Sequence, residues 1–113
     1  MSIPVLPEGI LTIDGARLEY AHAGPQPCVA PVLVLLHEGL GSRDLWGDFA
    51  QRLQAATGAG VFSYSRGGYG KSDPVALPRP LDYMQHEALR VLPQVLDAIE
   101  ARRIILVGHS DGA

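Results

Sequence analysis

A short apolar run leads directly into a turn built from glycine and serine. The run is Ile104-Ile105-Leu106-Val107, and the turn is Gly108-His109-Ser110-Asp111-Gly112, which has the pattern Gly-x-Ser-x-Gly. This order is typical of a nucleophile elbow, where a serine on a tight strand-to-helix turn projects its hydroxyl from the end of a sheet. The small residues Gly108 and Gly112 let the strand and the helix approach closely. The pattern therefore makes Ser110 the candidate nucleophile and predicts a strand–turn–helix unit.

A serine hydroxyl needs a base within hydrogen-bond reach and a third group that orients the base. In proteins with this elbow the acid and the histidine follow the serine, but here only Asp111, Gly112 and Ala113 follow it. Asp111 is not expected to be the acid, since a side chain next to the nucleophile on a tight turn points away from the required position. None of the four histidines (His22, His37, His86 and His109) is expected to be the base. We therefore expect the base and the acid to be missing from this chain.

The first third of the chain predicts an antiparallel hairpin followed by a buried strand. Asp14-Gly15 separates the runs Ile10–Ile13 and Arg17–Tyr20, and Asp-Gly between two such runs is a strong hairpin signal. After a proline-containing loop, Val32–Leu36 is continuously apolar, which suits a strand covered on both faces. These patterns predict the beginning of a mixed sheet.

The remainder predicts helices that alternate with strands. Ser42 is placed to cap a helix that ends at Thr57-Gly58, with an apolar face formed by Leu45, Phe49, Leu53 and Ala56. Val61–Tyr64 is the next predicted strand. Asp82 is the expected cap of a second helix, which Pro93 should kink or interrupt and whose apolar face is Met84, Ala88, Leu92, Val95, Leu96 and Ile99. Ile104–Val107 has the pattern of a buried strand, which would expose an apolar edge if it were the last in the sheet. The fold class is therefore α/β, with helices on both faces of the sheet.

Three loops together resemble those of the α/β-hydrolase superfamily. The segment 35–42 resembles its His-Gly loop after the third strand, and the segment 64–73 resembles its Arg-Gly-x-Gly-x-Ser loop. Residues 106–110 are similar to its Leu-x-Gly-His-Ser sequence. The resemblance covers nearly the whole chain, and it implies that residues 1–113 form the N-terminal part of one such domain, without its C-terminal half and cap.

The resemblance also implies roles for individual residues. One backbone N–H of an oxyanion hole would come from Asp111 and the other from the loop after the third strand. In the commoner family pattern, glycine directly follows the histidine. Here Glu38 stands between His37 and Gly39, so either Gly39 or Leu40 carries that donor, and Leu40 is favoured. His37 is expected to be a hydrogen-bonded structural residue. Arg66 and Asp73 are expected to brace the glycine-rich loop by ion pairing or local hydrogen bonds.

Composition and motifs exclude several other classes. A formal net charge of −3 gives no broad basic surface for nucleic acid or an anionic membrane, so a small-molecule substrate is expected. No targeting segment or membrane span is recognised, and one cysteine cannot form an internal disulfide; we expect a cytoplasmic protein. Gly70-Lys71-Ser72 is not a phosphate-binding loop, because Ser65 occupies the position where that motif requires glycine. No metal or cofactor is indicated, and the oligomeric state is left open.

These inferences point to a serine hydrolase that acts on an ester-like or other acyl small molecule through a covalent acyl-enzyme. Serine at the elbow argues against the haloalkane-dehalogenase and epoxide-hydrolase branches of the superfamily. Thioesterase, peptidase, acyltransferase and carbon–carbon bond hydrolase remain open. The alternative from another class is a truncated, non-catalytic fragment or binding product of such a gene.

Overall fold

The computed structural model of the chain describes residues 4–37 and 41–113. Its strands are β1 (Glu8–Ile13), β2 (Ala16–Ala23), β3 (Val32–Leu36), β4 (Gly60–Tyr64) and β5 (Ile104–Gly108). They form one sheet in the order β1-β2-β4-β3-β5. β2 is antiparallel to both β1 and β4, whereas β3 is parallel to both β4 and β5. The prediction of a hairpin followed by a mostly parallel sheet is confirmed.

The hairpin turn between β1 and β2 has the conformation that its sequence predicts. Asp14 and Gly15 both have positive φ, at 51° and 81°. Two successive residues with positive φ match the right-handed twist of the flanking strands, and Asp-Gly tolerates this conformation well. The turn therefore sets the register in which Ile13 lies opposite Ala16.

Alternate residues of β3 point into two separate hydrophobic clusters. Val32 and Val34 are fully buried in the larger cluster, which also holds Phe62 of β4. Leu33 and Leu35 belong to a smaller cluster on the other face, with Val61 of β4. The prediction that β3 is covered on both faces is confirmed, because helices pack on each side of the sheet.

The segment after β3 forms two helices where the sequence predicts one. Ser42 caps a 3-10 helix (Arg43–Trp46), and its hydroxyl accepts a hydrogen bond from the Asp44 N–H at 3.3 Å. Gly47 then adopts a φ of 56°, which interrupts the helical path before α1 (Phe49–Thr57) begins. Because of this break, the side chains that face the sheet differ from the predicted ones. Trp46, Ala50 and Leu53 pack against the smaller cluster. Two predicted members of that face, Phe49 and Ala56, are exposed. The predicted end of the helix is confirmed, since Gly58 caps α1 in the left-handed conformation.

The second predicted helix is continuous but changes its hydrogen-bonding pattern before Pro93. It consists of α2 (Tyr83–His86), a π turn (Glu87–Val91) and α3 (Leu92–Ala98). Proline has no N–H to donate to the preceding turn, and its ring crowds the carbonyl four residues earlier, so a local change of helix type is expected there. The prediction that Pro93 interrupts the helix is wrong, because the helical path runs without a gap from Tyr83 to Ala98 and only its hydrogen-bonding pattern changes. The predicted cap is also wrong, because the Asp82 side chain forms no capping hydrogen bond.

Only the C-terminal half of that helix is buried against the sheet. Leu92, Val95 and Ile99 belong to the larger cluster, with 9%, 0% and 3% of their surface exposed. Met84 and Ala88, which the sequence placed on the same apolar face, are exposed. The difference follows from position, since α3 lies over the sheet whereas α2 borders an open cavity beside β5.

β5 lies at the edge of the sheet and pairs only with β3 among the described strands. Ile105 and Leu106 are 57% and 50% exposed, so the prediction of a buried strand is wrong for these side chains. Their exposure agrees with the expectation of an apolar edge. Because β5 pairs with β3 in parallel, the end of β5 and the turn that follows it lie next to the end of β3.

Candidate functional site

The turn after β5 holds Ser110 in a conformation that few non-glycine residues adopt. His109 is extended, with φ −116° and ψ 119°, and Ser110 then has a φ of 53°. A 3-10 turn (Ser110–Gly112) follows, closed by the Ala113 N–H, which donates to the Ser110 carbonyl at 2.9 Å. A left-handed serine costs on the order of 1–3 kcal/mol and persists only where the surrounding structure enforces it. Ser110 is exposed at this turn, at the carboxyl end of a parallel strand.

The two glycines around Ser110 lie where a side chain would not fit. A Cβ on Gly108 would lie 2.6 Å from the Cα of Ala113. A Cβ on Gly112 would collide with the carbonyl oxygens of Leu36 and His37. These contacts are with backbone, which cannot rotate away as a side chain can. The close approach of the turn to the end of β3 therefore depends on Gly112, and the tight path of the turn back onto β5 depends on Gly108.

The loop that follows β3 leaves the sheet directly beside this turn. Leu36, the last residue of β3, lies opposite Gly108 in the parallel register, and its carbonyl accepts a hydrogen bond from the His109 N–H at 3.1 Å. Gly39 and Leu40, the two candidate oxyanion donors in this loop, lie outside the described residues. Asp111, the third candidate donor, lies in the 3-10 turn immediately after Ser110. The structure thus brings the start of the loop and the elbow together.

His37 is buried and is held by Arg66 through both its ring and its backbone. The Arg66 N–H donates to Nε2 of His37 at 3.0 Å, and the Arg66 guanidinium donates to the His37 carbonyl at 3.0 Å. The ring also packs edge-on against Tyr69, with centroids 4.8 Å apart. A ring nitrogen that accepts a backbone hydrogen bond has its lone pair engaged. This arrangement fixes the start of the loop and leaves Nε2 unsuited to proton transfer.

The glycine-rich loop after β4, which ends the segment 64–73, is held in place by the contacts of two of its residues. Arg66 is buried against His37, as described above, while the Asp73 carbonyl accepts from the Gly68 N–H at 2.8 Å. The Asp73 carboxylate accepts from the Arg17 N–H at 2.8 Å and pairs with its guanidinium at 3.3 Å. The hydrogen bond from the Arg17 backbone is the main cause that lowers the pKa of Asp73. The loop is thereby tied to the hairpin on one side and to the His37 loop on the other.

Sequence reasoning missed a buried charge at the same end of the sheet. Glu19 on β2 is 2% exposed, and its carboxylate accepts from Nε of Arg43 at 2.5 Å and from the N–H of Lys71. Burial alone would raise the pKa of Glu19, but the hydrogen bonds with Lys71, Arg43 and Ser65, together with the charge of Arg43, outweigh it and hold the pKa below its ordinary value. Strand alternation between Leu18 and Tyr20 predicts that Glu19 faces solvent, and nothing in the local pattern signals that both faces of β2 are covered there.

Ser65 and Ser72 complete this cluster. The Ser65 hydroxyl accepts from the Arg43 N–H at 3.0 Å, and the Ser72 hydroxyl accepts from the Glu19 N–H at 2.9 Å. The Ser72 hydroxyl in turn donates to the Ser65 carbonyl at 2.6 Å. The cluster therefore joins β2, the segment after β3 and the glycine-rich loop into one buried polar network.

An apolar cavity of about 340 Å³ lies beside the elbow. Leu36, Leu106 and Gly112 line it from the sheet and the turn, while Met84 and Leu92 line it from the helix. Glu87 also borders it, and burial raises the pKa of that carboxyl. The cavity thus offers a mostly apolar surface next to the turn that carries Ser110.

Two kinds of feature are absent from the part of the chain that the structure describes. No group of three or more His, Cys, Asp or Glu side chains is arranged to hold a metal ion. No helix within residues 4–37 and 41–113 has the length and apolar character needed to cross a membrane.

A sequence model of the family described as alpha/beta hydrolase fold matches residues 31–113. This region includes β3, β4, β5 and all three loops considered above. A comparison with curated protein sequences finds no significant match.

Solved structures with this fold resemble nearly the whole chain. A membrane phospholipase A described as a bacterial virulence factor is 28% identical, with a TM-score of 0.77 over 93% of this chain. An alpha/beta hydrolase fold protein from Burkholderia ambifaria is 25% identical, with a TM-score of 0.75 over 99% of the chain. Epoxide Hydrolase A from Mycobacterium thermoresistibile is 25% identical, with a TM-score of 0.72 over 97%. The chain covers 32%, 38% and 32% of these proteins, about a third of their length.

Proposed function

The chain belongs to the α/β-hydrolase fold family, and from this premise we propose that the whole protein is a serine hydrolase acting on an ester-like or other acyl small molecule. The observation that supports the proposal best is the left-handed conformation of Ser110, at φ 53°, between two glycines that a side chain would displace. Such strain at an exposed residue on the end of a parallel strand is characteristic of a functional position.

In the proposed reaction, Oγ of Ser110 attacks the carbonyl carbon of the substrate while a histidine base accepts the hydroxyl proton. The tetrahedral intermediate collapses, the base returns the proton to the leaving group, and an acyl-enzyme remains. Water then attacks the acyl carbon, gives its proton to the same base and releases the acid with Ser110 restored. Each step is a proton or acyl transfer and needs no redox partner.

Backbone N–H groups would stabilise the negative oxygen of the tetrahedral intermediate. We assign one donor to Asp111, whose position directly after Ser110 matches the usual donor of an elbow. The second donor is assigned to Leu40, with Gly39 as the alternative, because their loop leaves β3 beside the elbow. Removal of a single donor of this kind lowers kcat by about 10²–10³-fold, so the geometry of this loop matters greatly.

The base and the acid are proposed to come from residues outside this chain. Nε2 of His37 is engaged by the Arg66 N–H, and Nε2 of His22 lies 2.8 Å from the Pro25 carbonyl. His86 lies on α2, and His109 immediately precedes the nucleophile. The chain covers only about a third of the solved relatives. We therefore propose that residues 1–113 alone do not turn over substrate.

Serine at the elbow distinguishes the proposed activity from that of the epoxide hydrolase among the similar structures. The epoxide-hydrolase branch uses an aspartate at this position, as expected from the family resemblance, whereas this chain has Ser110. An acyl substrate therefore suits the chain better than an epoxide. Thioesterase, peptidase, acyltransferase and carbon–carbon bond hydrolase activities use the same serine and are distinguished by substrate screening.

Active-site labelling tests the proposal directly. The whole protein is treated with a fluorophosphonate probe, which reacts with an activated serine, and the adduct is located by peptide mass spectrometry. We expect the adduct on Ser110 and its loss in Ser110→Ala. Heat-denatured protein serves as the control, since its serines are present but not activated. Labelling of another serine, or undiminished labelling of the folded Ser110→Ala variant, would contradict the proposal.

A further inference from the structure

β1 (Glu8–Ile13) forms the edge of the sheet opposite β5, and among the described strands it pairs only with β2. An edge strand can pair with a strand of another molecule unless lysine, proline, a bulge or an inward-pointing charge blocks it. The register of β1 against β2 is unbroken, and the strand contains neither lysine nor proline. Its one charged residue, Glu8, stands at its first position with its side chain 74% exposed. The middle of this edge is therefore open to pairing.

The direction of the backbone hydrogen bonds along β1 follows from its ladder with β2. Just before the strand begins, the His22 N–H donates to the Pro7 carbonyl at 2.9 Å. Hydrogen-bonded and non-hydrogen-bonded pairs alternate along an antiparallel ladder, so the odd-numbered residues of β1 bond to β2. The N–H and C=O groups of Glu8, Ile10 and Thr12 therefore point toward the free edge.

These three edge-facing residues are complementary to the same three residues of a second copy. If two β1 strands lie antiparallel with Ile10 opposite Ile10 of the second copy, Glu8 lies opposite Thr12 of that copy and Thr12 opposite its Glu8. All three are then hydrogen-bonded pairs, which exchange both N–H···O bonds. A shift of register by two residues would leave one of the three without a strand residue opposite it. The edge thus has one register that satisfies all of its free backbone groups.

The side chains also fit this register. Ile10 is 54% exposed, and pairing would bring it beside Ile10 of the second copy, where cross-strand apolar contacts stabilise a sheet. Glu8 would face the neutral Thr12, and the two Glu8 residues would be offset by four residues, roughly 13 Å along the strands. Arg17, which lies opposite Thr12 on β2 and has a side chain 72% exposed, would supply a cation one strand beyond the Glu8 of the second copy. Like charges are therefore kept apart and opposite charges brought nearer.

We propose that the whole protein forms a homodimer in which the two β1 strands pair antiparallel about Ile10 and join the two sheets into one. A twofold axis at Ile10 relates the copies, so the contact is closed and does not continue into a filament. β1 lies four strand spacings from β5, about 19 Å across the sheet. The dimer therefore leaves the elbow that carries Ser110 accessible, and the pairing does not depend on the proposed function.

Sedimentation velocity of the whole protein tests the dimer. We expect a dimeric parent, and we expect Ile10→Lys to raise the dimer dissociation constant at least about tenfold, because lysine on an edge strand opposes pairing. Val29→Lys is the matched control, since Val29 is 74% exposed in the loop between β2 and β3 and the change adds the same charge away from β1. It should remain dimeric, and both variants should keep the ester hydrolysis rate of the parent. A monomeric parent, or an Ile10→Lys variant that dimerises as the parent does, overturns the proposal.

Cysteine cross-linking tests the register, and it does so even if Ile10→Lys fails to fold. In a Cys28→Ser background, Ile10→Cys places the two thiols on opposite residues, whose Cα atoms lie about 5.5 Å apart in a hydrogen-bonded pair, within the range of a disulfide. Thr12→Cys is the control, because the two Thr12 residues are offset by roughly 13 Å along the strands. Mild oxidation should convert Ile10→Cys to a reducible covalent dimer and leave Thr12→Cys monomeric on a denaturing gel. Equal cross-linking of the two variants, or none in either, contradicts the pairing.

Discussion

Substitution of Gly112 by alanine should damage the elbow through one added methyl group. The new Cβ would overlap the carbonyl oxygens of Leu36 and His37, which belong to the end of β3 and the start of the loop after it. The collision is with backbone, so the 3-10 turn Ser110–Gly112 or the end of β3 must move. Overpacking of this kind costs about 1–3 kcal/mol. The displacement would separate the Asp111 amide from the loop that is proposed to carry the second donor.

The expected effect on the whole protein is a loss of both stability and turnover. For a protein about three times the length of this chain, the unfolding entropy of about 2.1 cal/mol/K per residue means that each kcal/mol lowers Tm by roughly 1–2 °C, so calorimetry should show a decrease of about 1–5 °C. A displaced oxyanion donor should lower kcat by about 10²-fold, with a much smaller change in KM. Steady-state hydrolysis of a p-nitrophenyl ester, measured well below Tm, reports both constants.

Gly15→Ala is the control that separates stability from catalysis. Gly15 has a φ of 81°, and a Cβ added there would meet no other atom within 4 Å. The cost is therefore backbone strain alone, about 1–2 kcal/mol in the hairpin turn. This variant should lose stability but keep its kcat. If Gly112→Ala folds with unchanged Tm and kcat, the packing argument for the elbow is refuted.

Three further predictions follow from the loops, the buried charge and the sheet edge. Gly39→Val should lower kcat more than it raises KM in steady-state kinetics, because a displaced amide weakens transition-state stabilisation; a change in KM alone would contradict this. The lowered pKa of Glu19 means that its carboxylate stabilises the fold above the ordinary value of 4.5, and that this contribution is lost as pH falls through the lower folded-state pKa. Denaturant unfolding should therefore show a larger loss of stability on acidification for the parent than for Glu19→Gln, and equal losses would contradict the assignment. Residues 1–113 expressed alone should aggregate in gel filtration and show no Ser110-dependent esterase activity, since β5 exposes Ile105 and Leu106 at the sheet edge; an active monodisperse monomer would contradict this.

The strands and the elbow were predictable because their signals are local. The continuous apolar run Val32–Leu36, the Asp14-Gly15 turn and the Gly-x-Ser-x-Gly pattern each fix a conformation with little help from the rest of the chain. The helix after Ser42 was only partly predictable. Leu45 and Phe49 are spaced as in one helix, and the spacing does not reveal that Gly47 adopts a positive φ between them.

The polar part of the site was less predictable because it depends on tertiary contacts. Alternation along β2 places Glu19 on an outward face, and only the folded chain shows Arg43 and Lys71 covering it from two distant loops. A backbone oxyanion donor has no side-chain signature, so the sequence could narrow it only to Gly39 or Leu40. Asp82 has the residue type of a helix cap, but its side chain forms no capping bond. Residue type alone does not determine which donor a side chain meets.

The central claim is that Ser110 is the nucleophile of an acyl hydrolase, and comparison of the whole protein with Ser110→Ala tests it most directly. Hydrolysis of short p-nitrophenyl esters is measured for both proteins at equal concentration, after circular dichroism and thermal unfolding establish that the variant is folded. We predict a loss of several orders of magnitude in kcat, since the remaining groups cannot form the acyl-enzyme. Equal hydrolysis by the parent and a folded Ser110→Ala variant would contradict the claim.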